Sequence, residues 1–161
     1  MKFLFIVQGE GRGHFTQAIT LEDMLLRNGH QVVEVLVGKS SSRTLPGFFN
    51  RSIQAPVKRF TSPNFLPTAE NKRADLKKSF AYNLIHVPEY FRSMCYINQR
   101  IKETGAEVVI NFYELLTGLT YALFRPSVPY VCIGHQYLFL HNHFEFPRKS
   151  VIQLLSLIHI S

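Results

Sequence analysis

Five apolar residues in a row, Phe3 to Val7, follow Met1 and Lys2 at the start of the chain. An uninterrupted run of this kind marks a strand buried on both faces, because a strand with one wet face alternates apolar and polar positions. The pattern then breaks into QGEGRG and resumes with a different period. From His14 to Asn28, Ile19, Leu21, Leu25 and Leu26 recur at roughly helical spacing, and Gly29 follows as a C-cap. Gln31 to Val37 is rich in β-branched residues and predicts a second strand. Segments 2–7, 14–28 and 31–37 therefore predict a βαβ unit with parallel strands and a right-handed crossover.

Further along, residues 40–50 suggest a short helix broken at Pro46–Gly47, and Val57 to Phe60 a third strand. SPNFLPT, Ser62 to Thr68, holds two prolines and predicts a loop. Arg73 to Glu103 reads as a long helical stretch that Pro88 must kink or break near Val87, with Gly105 ending it. Val108 to Ile110 predicts a strand, Glu114 to Phe124 a helix, and Tyr130 to Ile133 a further strand introduced by Pro129. Strands alternating with helices imply an α/β fold, a Rossmann-like doubly wound and mostly parallel sheet. Such sheets bind ligands beyond the carboxyl ends of their strands. Three places qualify: the loop Gly9–His14, the junction Asn111–Glu114 and the segment Gly134–Tyr137.

Composition adds bounds. The 161 residues suit one domain with a real core, and 46% hydrophobic with 18% charged residues is ordinary for a soluble globular protein. The net charge of +7 favours anionic partners, among them nucleotide phosphates and acidic lipid surfaces. Lys58, Arg59, Lys72, Arg73, Lys77 and Lys78 cluster in sequence but read as a solvated face. They come with no zinc-finger spacing or arginine–aromatic array, so nucleic acid is not an expected partner. Cys95 and Cys132 lie far apart, without a CxxC, and read as reduced, buried thiols of a cytoplasmic protein. MKFLFIV is too short for a signal peptide's apolar region and leads into glycines instead of a cleavage site. No stretch reaches transmembrane length.

The glycine loop carries the chemistry. Read from Gly9, a dinucleotide fingerprint finds Gly9 and Gly11 in place but His14 where its third glycine belongs. The second strand ends VLVGK with no acid for a ribose, and no GK[ST] follows for a P-loop. A turn that merely lets the chain reverse would leave His14 as a polar residue at a helix start, where Ser, Thr, Asp or Asn is preferred.

G-x-G-x-G-H at a strand-to-helix turn (Gly9, Gly11, Gly13, His14) resembles the first loop of the GT-B glycosyltransferases. The likeness is strongest to bacterial relatives of the peptidoglycan-precursor N-acetylglucosamine transferase and to UDP-glycosyltransferases. RNGHQVVEVLVG, AEVVINFYELLTGLTYA and VPYVCIGHQYLF look like later segments of that family, and the resemblance runs to about residue 145. It implies inverting, single-displacement transfer of a sugar, hexosyl or N-acetylhexosaminyl, from a UDP-sugar or other nucleotide-sugar donor, without a metal or other cofactor. His14 would be the general base, taking a proton from an acceptor hydroxyl as that oxygen attacks the anomeric carbon. The helix dipole disfavours the imidazolium, which suits that role. Glycines let a substrate approach the backbone, and the helix amino terminus offers N–H groups to phosphate or sugar oxygens. Gly9, Gly11, Arg12, Gly13, Thr16, Gln17, Asn111, Glu114, His135 and Gln136 are the candidate acceptor- or phosphate-binding positions. In many relatives an aspartate orients the histidine; here Asn111 stands at that position. An asparagine fixes a tautomer but supplies no charge, and Glu114 is a substitute candidate.

Other features weigh less. His135 and Gln136 match an HQ pair of similar sequences. His141, His143 and Glu145 alternate as metal ligands could, but no second cluster accompanies them, and no metal is expected. His30 and His86 read as structural. SPNFLPT and the nearby basic residues keep open a peripheral contact with the inner face of a membrane bearing a lipid acceptor; a small-molecule acceptor is the other possibility. Residues 1–147 read as an acceptor-side domain, with the donor-binding domain absent. Residues 148–161, ending VIQLLSLIHIS, read as a truncated or artefactual tail without functional weight, and the fragment alone is expected to be inactive. The alternative is a non-catalytic α/β nucleotide- or phosphate-binding module.

Overall fold

The computed structural model describes residues 1–9, 12–39, 44–63 and 76–134. Among them, five strands form one all-parallel sheet: β1 (Lys2–Gln8), β2 (Gln31–Lys39), β3 (Val57–Thr61), β4 (Val108–Phe112) and β5 (Tyr130–Cys132). The order is β3-β2-β1-β4-β5. The chain thus builds outward from β1 through β2 to β3, then returns to the other side of β1 for β4 and β5. This reversal puts a topological switch point between β1 and β4, where such sheets open a crevice at their carboxyl edge.

β1 explains the sandwich. Phe3, Phe5 and Val7 pack on one face with Phe15 and Ala18 of helix α1 (Arg12–Arg27) and Phe49 of helix α2 (Gly47–Ser52). Leu4 and Ile6 pack on the other with Tyr90, Ile97 and Ile101 of helix α4 (Val87–Glu103) and Leu116 of helix α5 (Leu115–Phe124). Phe5 meets Phe112 edge-on at 5.1 Å, and Phe15 meets Phe49 at 4.6 Å. Burying each such ring contributes about 2 kcal/mol.

The buried row of α1 is not the expected leucine stripe. Its buried residues are His14, Phe15, Ala18 and Glu22, with Ile19, Leu21 and Leu25 packed at the margin. The helix starts at Arg12, two residues before the apolar period becomes visible. Glu22 is buried because its carboxylate accepts from the Gln54 and Ala55 backbone N–H groups, both at 2.8 Å. Glu34 of β2 is likewise buried, held by a bidentate pair to Arg100 at 2.8 and 2.9 Å and by Lys58 at 2.9 Å. One member of the basic stretch therefore has a structural partner.

Most boundaries agree with expectation. Gly29 and Gly105 end α1 and α4 at φ of +74° and +62°, conformations that glycine adopts without strain. The long helical stretch divides at His86 into helix α3 (Leu76–Ile85) and α4, with Pro88 in the first turn of α4, where its missing N–H costs nothing. The break at Pro46–Gly47 is instead the start of α2, which Pro46 precedes as N-cap residue. Strands β2 and β4 each run two residues past their expected ends. Cys95 is a correction. It is exposed, because α4 buries Tyr90, Ser93, Ile97 and Ile101, and Cys95 falls off that row. Cys132 is half-buried. Among the described residues no helix is long and apolar enough to cross a membrane.

Candidate functional site

The carboxyl edge of the sheet carries two strand-to-helix turns side by side, one after β1 and one after β4. The first glycine of the β1–α1 turn is there for packing. The Gly9 N–H donates to the Gly38 carbonyl at 2.6 Å, and a Cβ on Gly9 would lie 2.7 Å from that oxygen and 2.9 Å from the Lys39 Cβ. Glu10 and Gly11 lie outside the described residues. Gly13 differs from Gly9: it is exposed in the first turn of α1, and an added Cβ would have nothing within 4 Å. No packing demands a glycine here, although glycine is about 1 kcal/mol worse than alanine within a helix.

His14, also in the first turn of α1, is 7% exposed. It stands on the same row as Ala18 and Glu22, four and eight residues on, so the packing that seats α1 on the sheet also turns the imidazole inward. Its ring stacks on Tyr113, with centroids 5.9 Å apart and planes 15° from parallel. His14 belongs to the helix that follows β1, and Tyr113 directly follows β4, the two strands that flank the switch point. Arg12 is exposed, and Thr16 turns its hydroxyl back to the Arg12 carbonyl at 2.9 Å. Gln17 is half-buried, and its Oε1 has no hydrogen-bond partner among the described residues. The α1 first turn contains no acidic residue.

The β4–α5 turn is closed. Asn111 accepts from the Glu114 N–H at 2.8 Å, donates Nδ2 to the Glu114 carbonyl at 3.1 Å, and lies 3.5 Å from the Cys132 sulfur. Glu114 is 1% exposed and caps α5, its Oε1 accepting from the Leu116 N–H at 3.2 Å and from the Ser62 hydroxyl at 2.6 Å. A Cβ on Gly38 would run into this carboxylate and into the Phe60 ring. Gly38 therefore touches both turns: its carbonyl holds Gly9, and its bare α-carbon makes room for Glu114. An acid does approach the end of β2, delivered from β4–α5 and buried instead of offered to a ribose.

Of the expected residues, the structure brings His14 to the sheet edge and spends the amide of Asn111 on its own turn. His135, Gln136, His141, His143 and Glu145 lie outside the described residues, as do residues 64–68 of SPNFLPT. Ser62 is buried, the loop's first residue being tied to Glu114. His30 packs on Phe3 at 5.8 Å, and His86 approaches the Tyr82 carbonyl at 2.7 Å through Nδ1, both structural positions. Sequence reasoning missed Tyr113, Ser62 and Gly38. Tyr113 has the clearest signature, a φ of +60° at a non-glycine residue, which sequence does not display. Away from the edge, burial and the neighbouring Tyr82 and Glu89 push the Tyr90 phenol up to about 12.

No protein-family model matches the chain, and no curated protein matches it. Among solved structures it is similar to the MurG of Acinetobacter baumannii, at 16% identity over 92% of this chain and 44% of that one, with a TM-score of 0.48. It is also similar to the glycotransferase of kitacinnamycin, at 14% identity over 86% of this chain and 33% of that one, with a TM-score of 0.49. The chain spans less than half the length of either structure.

Proposed function

We propose that this chain is the amino-terminal, acceptor-side domain of a GT-B glycosyltransferase that moves a sugar from a nucleotide-sugar donor to an acceptor hydroxyl with inversion. The observation that carries the reading is a buried histidine in the first turn of α1, at the switch point of a parallel sheet, next to an exposed glycine backbone. The residues named at the sequence level supply each part of such a step. Neutral His14 takes the proton of the acceptor hydroxyl as its oxygen forms the bond to the anomeric carbon. The bond from that carbon to the nucleotide diphosphate breaks, and the electron pair leaves with the phosphate oxygen. The α1 amino terminus and exposed Arg12 favour anionic oxygen nearby. The shielded Gln17 Oε1 suits a ligand hydroxyl or N–H donor. A second α/β domain holds most of the donor, and the acceptor is a small molecule or a lipid reached from the cytoplasmic face of a membrane.

The test uses the full-length protein with UDP-glucose and UDP-N-acetylglucosamine against a panel of soluble and lipid-linked hydroxyl acceptors. Proton NMR of the product reports the anomeric configuration. A β-glycoside from these α-linked donors is the expected result. An α-glycoside contradicts single displacement, and nucleotide-sugar binding without transfer assigns the chain to the non-catalytic phosphate-binding alternative.

A further inference from the structure

Tyr113 occupies the left-handed region with a bulky side chain, a conformation that costs about 1–2 kcal/mol and persists only where its surroundings impose it. Those surroundings are explicit. The Asn111 amide grips both the N–H and the carbonyl of Glu114, the residue directly after Tyr113. The Asn111 carbonyl accepts from the Ile133 N–H at 2.7 Å, which fixes the turn to the end of β5. The Glu114 carboxylate anchors the other side through Ser62 and Leu116. With both flanks held, the Tyr113 backbone has little freedom, and its ring lies nearly parallel to the His14 imidazole.

We infer that the β4–α5 turn is a positioning device for His14: Tyr113 fixes the plane of the imidazole by stacking, and Asn111 and Glu114 hold Tyr113 in place. The inference rests on the reading of His14 as the reactive group. It also gives asparagine a purpose at position 111. The turn needs one side chain that both donates and accepts, and a carboxylate has no N–H for the Glu114 carbonyl. An aromatic face therefore helps to orient the imidazole. Offset-stacked rings at this centroid separation attract one another while adding no charge. Tyr113 is thus a positioning residue; the proton transfer remains with His14.

The experiment follows the His14 ring resonances by NMR in the full-length protein carrying isotope-labelled histidine, with His14→Gln to assign them. Stacking on Tyr113 predicts ring-current displacement of the His14 signals, kept in Tyr113→Phe and lost in Tyr113→Gly. Glycine suits a φ of +60°, so Tyr113→Gly should unfold at the same or higher denaturant concentration than the parent, which separates positioning from folding. In transfer assays Tyr113→Gly should lower kcat about 10- to 100-fold with KM little changed, and Tyr113→Phe should restore it. His14 signals unmoved by Tyr113→Gly, or displaced equally by Tyr113→Phe, would overturn the inference. The NMR readout needs no turnover, so a protein that transfers no sugar refutes the functional reading and leaves the stacking to be judged on the resonances.

Discussion

The two turns at the sheet edge share a plan and differ in finish. After β4 three polar side chains are spent on the turn itself: Asn111 ties it, Glu114 caps α5, and Ser62 reaches across from the end of β3. After β1, the described first turn of α1 holds an exposed arginine, an exposed glycine and a buried histidine, with no acidic residue. A closed turn is scaffold. On the proposed function the α1 turn is the one that serves a ligand, and the role inferred for its rigid neighbour is to hold the imidazole in place. Gly38 touches both turns.

Substitutions sharpen this contrast. Glu114→Ala should have the largest effect, lowering stability by about 3 kcal/mol in urea unfolding, because it removes the α5 cap and leaves the buried Ser62 hydroxyl without its acceptor. If the closed turn were ordinary surface loop, the loss would stay below about 0.5 kcal/mol. Gly9→Ala should cost about 2 kcal/mol by the same measurement, since its Cβ overlaps the Gly38 carbonyl and the Lys39 side chain. Gly13→Ala should have the smallest effect and the opposite sign, a gain of about 0.5 kcal/mol in stability, as the added methyl meets open space. On the proposed function, product formation should nevertheless fall in Gly13→Ala, because the methyl would cover backbone assigned to substrate approach. A Gly13→Ala enzyme of unchanged rate would return this glycine to the role of a mere turn residue.

Legibility followed the physics of each region. The β1 assignment came from a continuous apolar run, β2 from its β-branched residues, and α1 from helical spacing and a capping glycine, although its fully buried row is His14, Phe15, Ala18 and Glu22. The start of α1 was hidden because Arg12 and Gly13 carry no apolar period. The Cys95 reading failed because a thiol takes either environment, and only the buried row of α4 decides which. At the sheet edge, His14 was conspicuous in sequence because its residue type is unusual at a helix start. Its surroundings were not, since they depend on contacts between remote positions. Ser62 and Glu114 are 52 residues apart, and nothing local in either segment announces their hydrogen bond. Asn111 was legible as a departure from a pattern, but its purpose emerged only from the turn that it ties.

The most direct measurement is steady-state transfer by the full-length enzyme and its His14→Ala variant, with donor affinity determined separately by calorimetry. The account predicts that kcat falls about a hundred- to ten-thousand-fold while donor affinity is unchanged, as expected for loss of a general base. A His14→Ala enzyme that transfers sugar at close to the parent rate would contradict it.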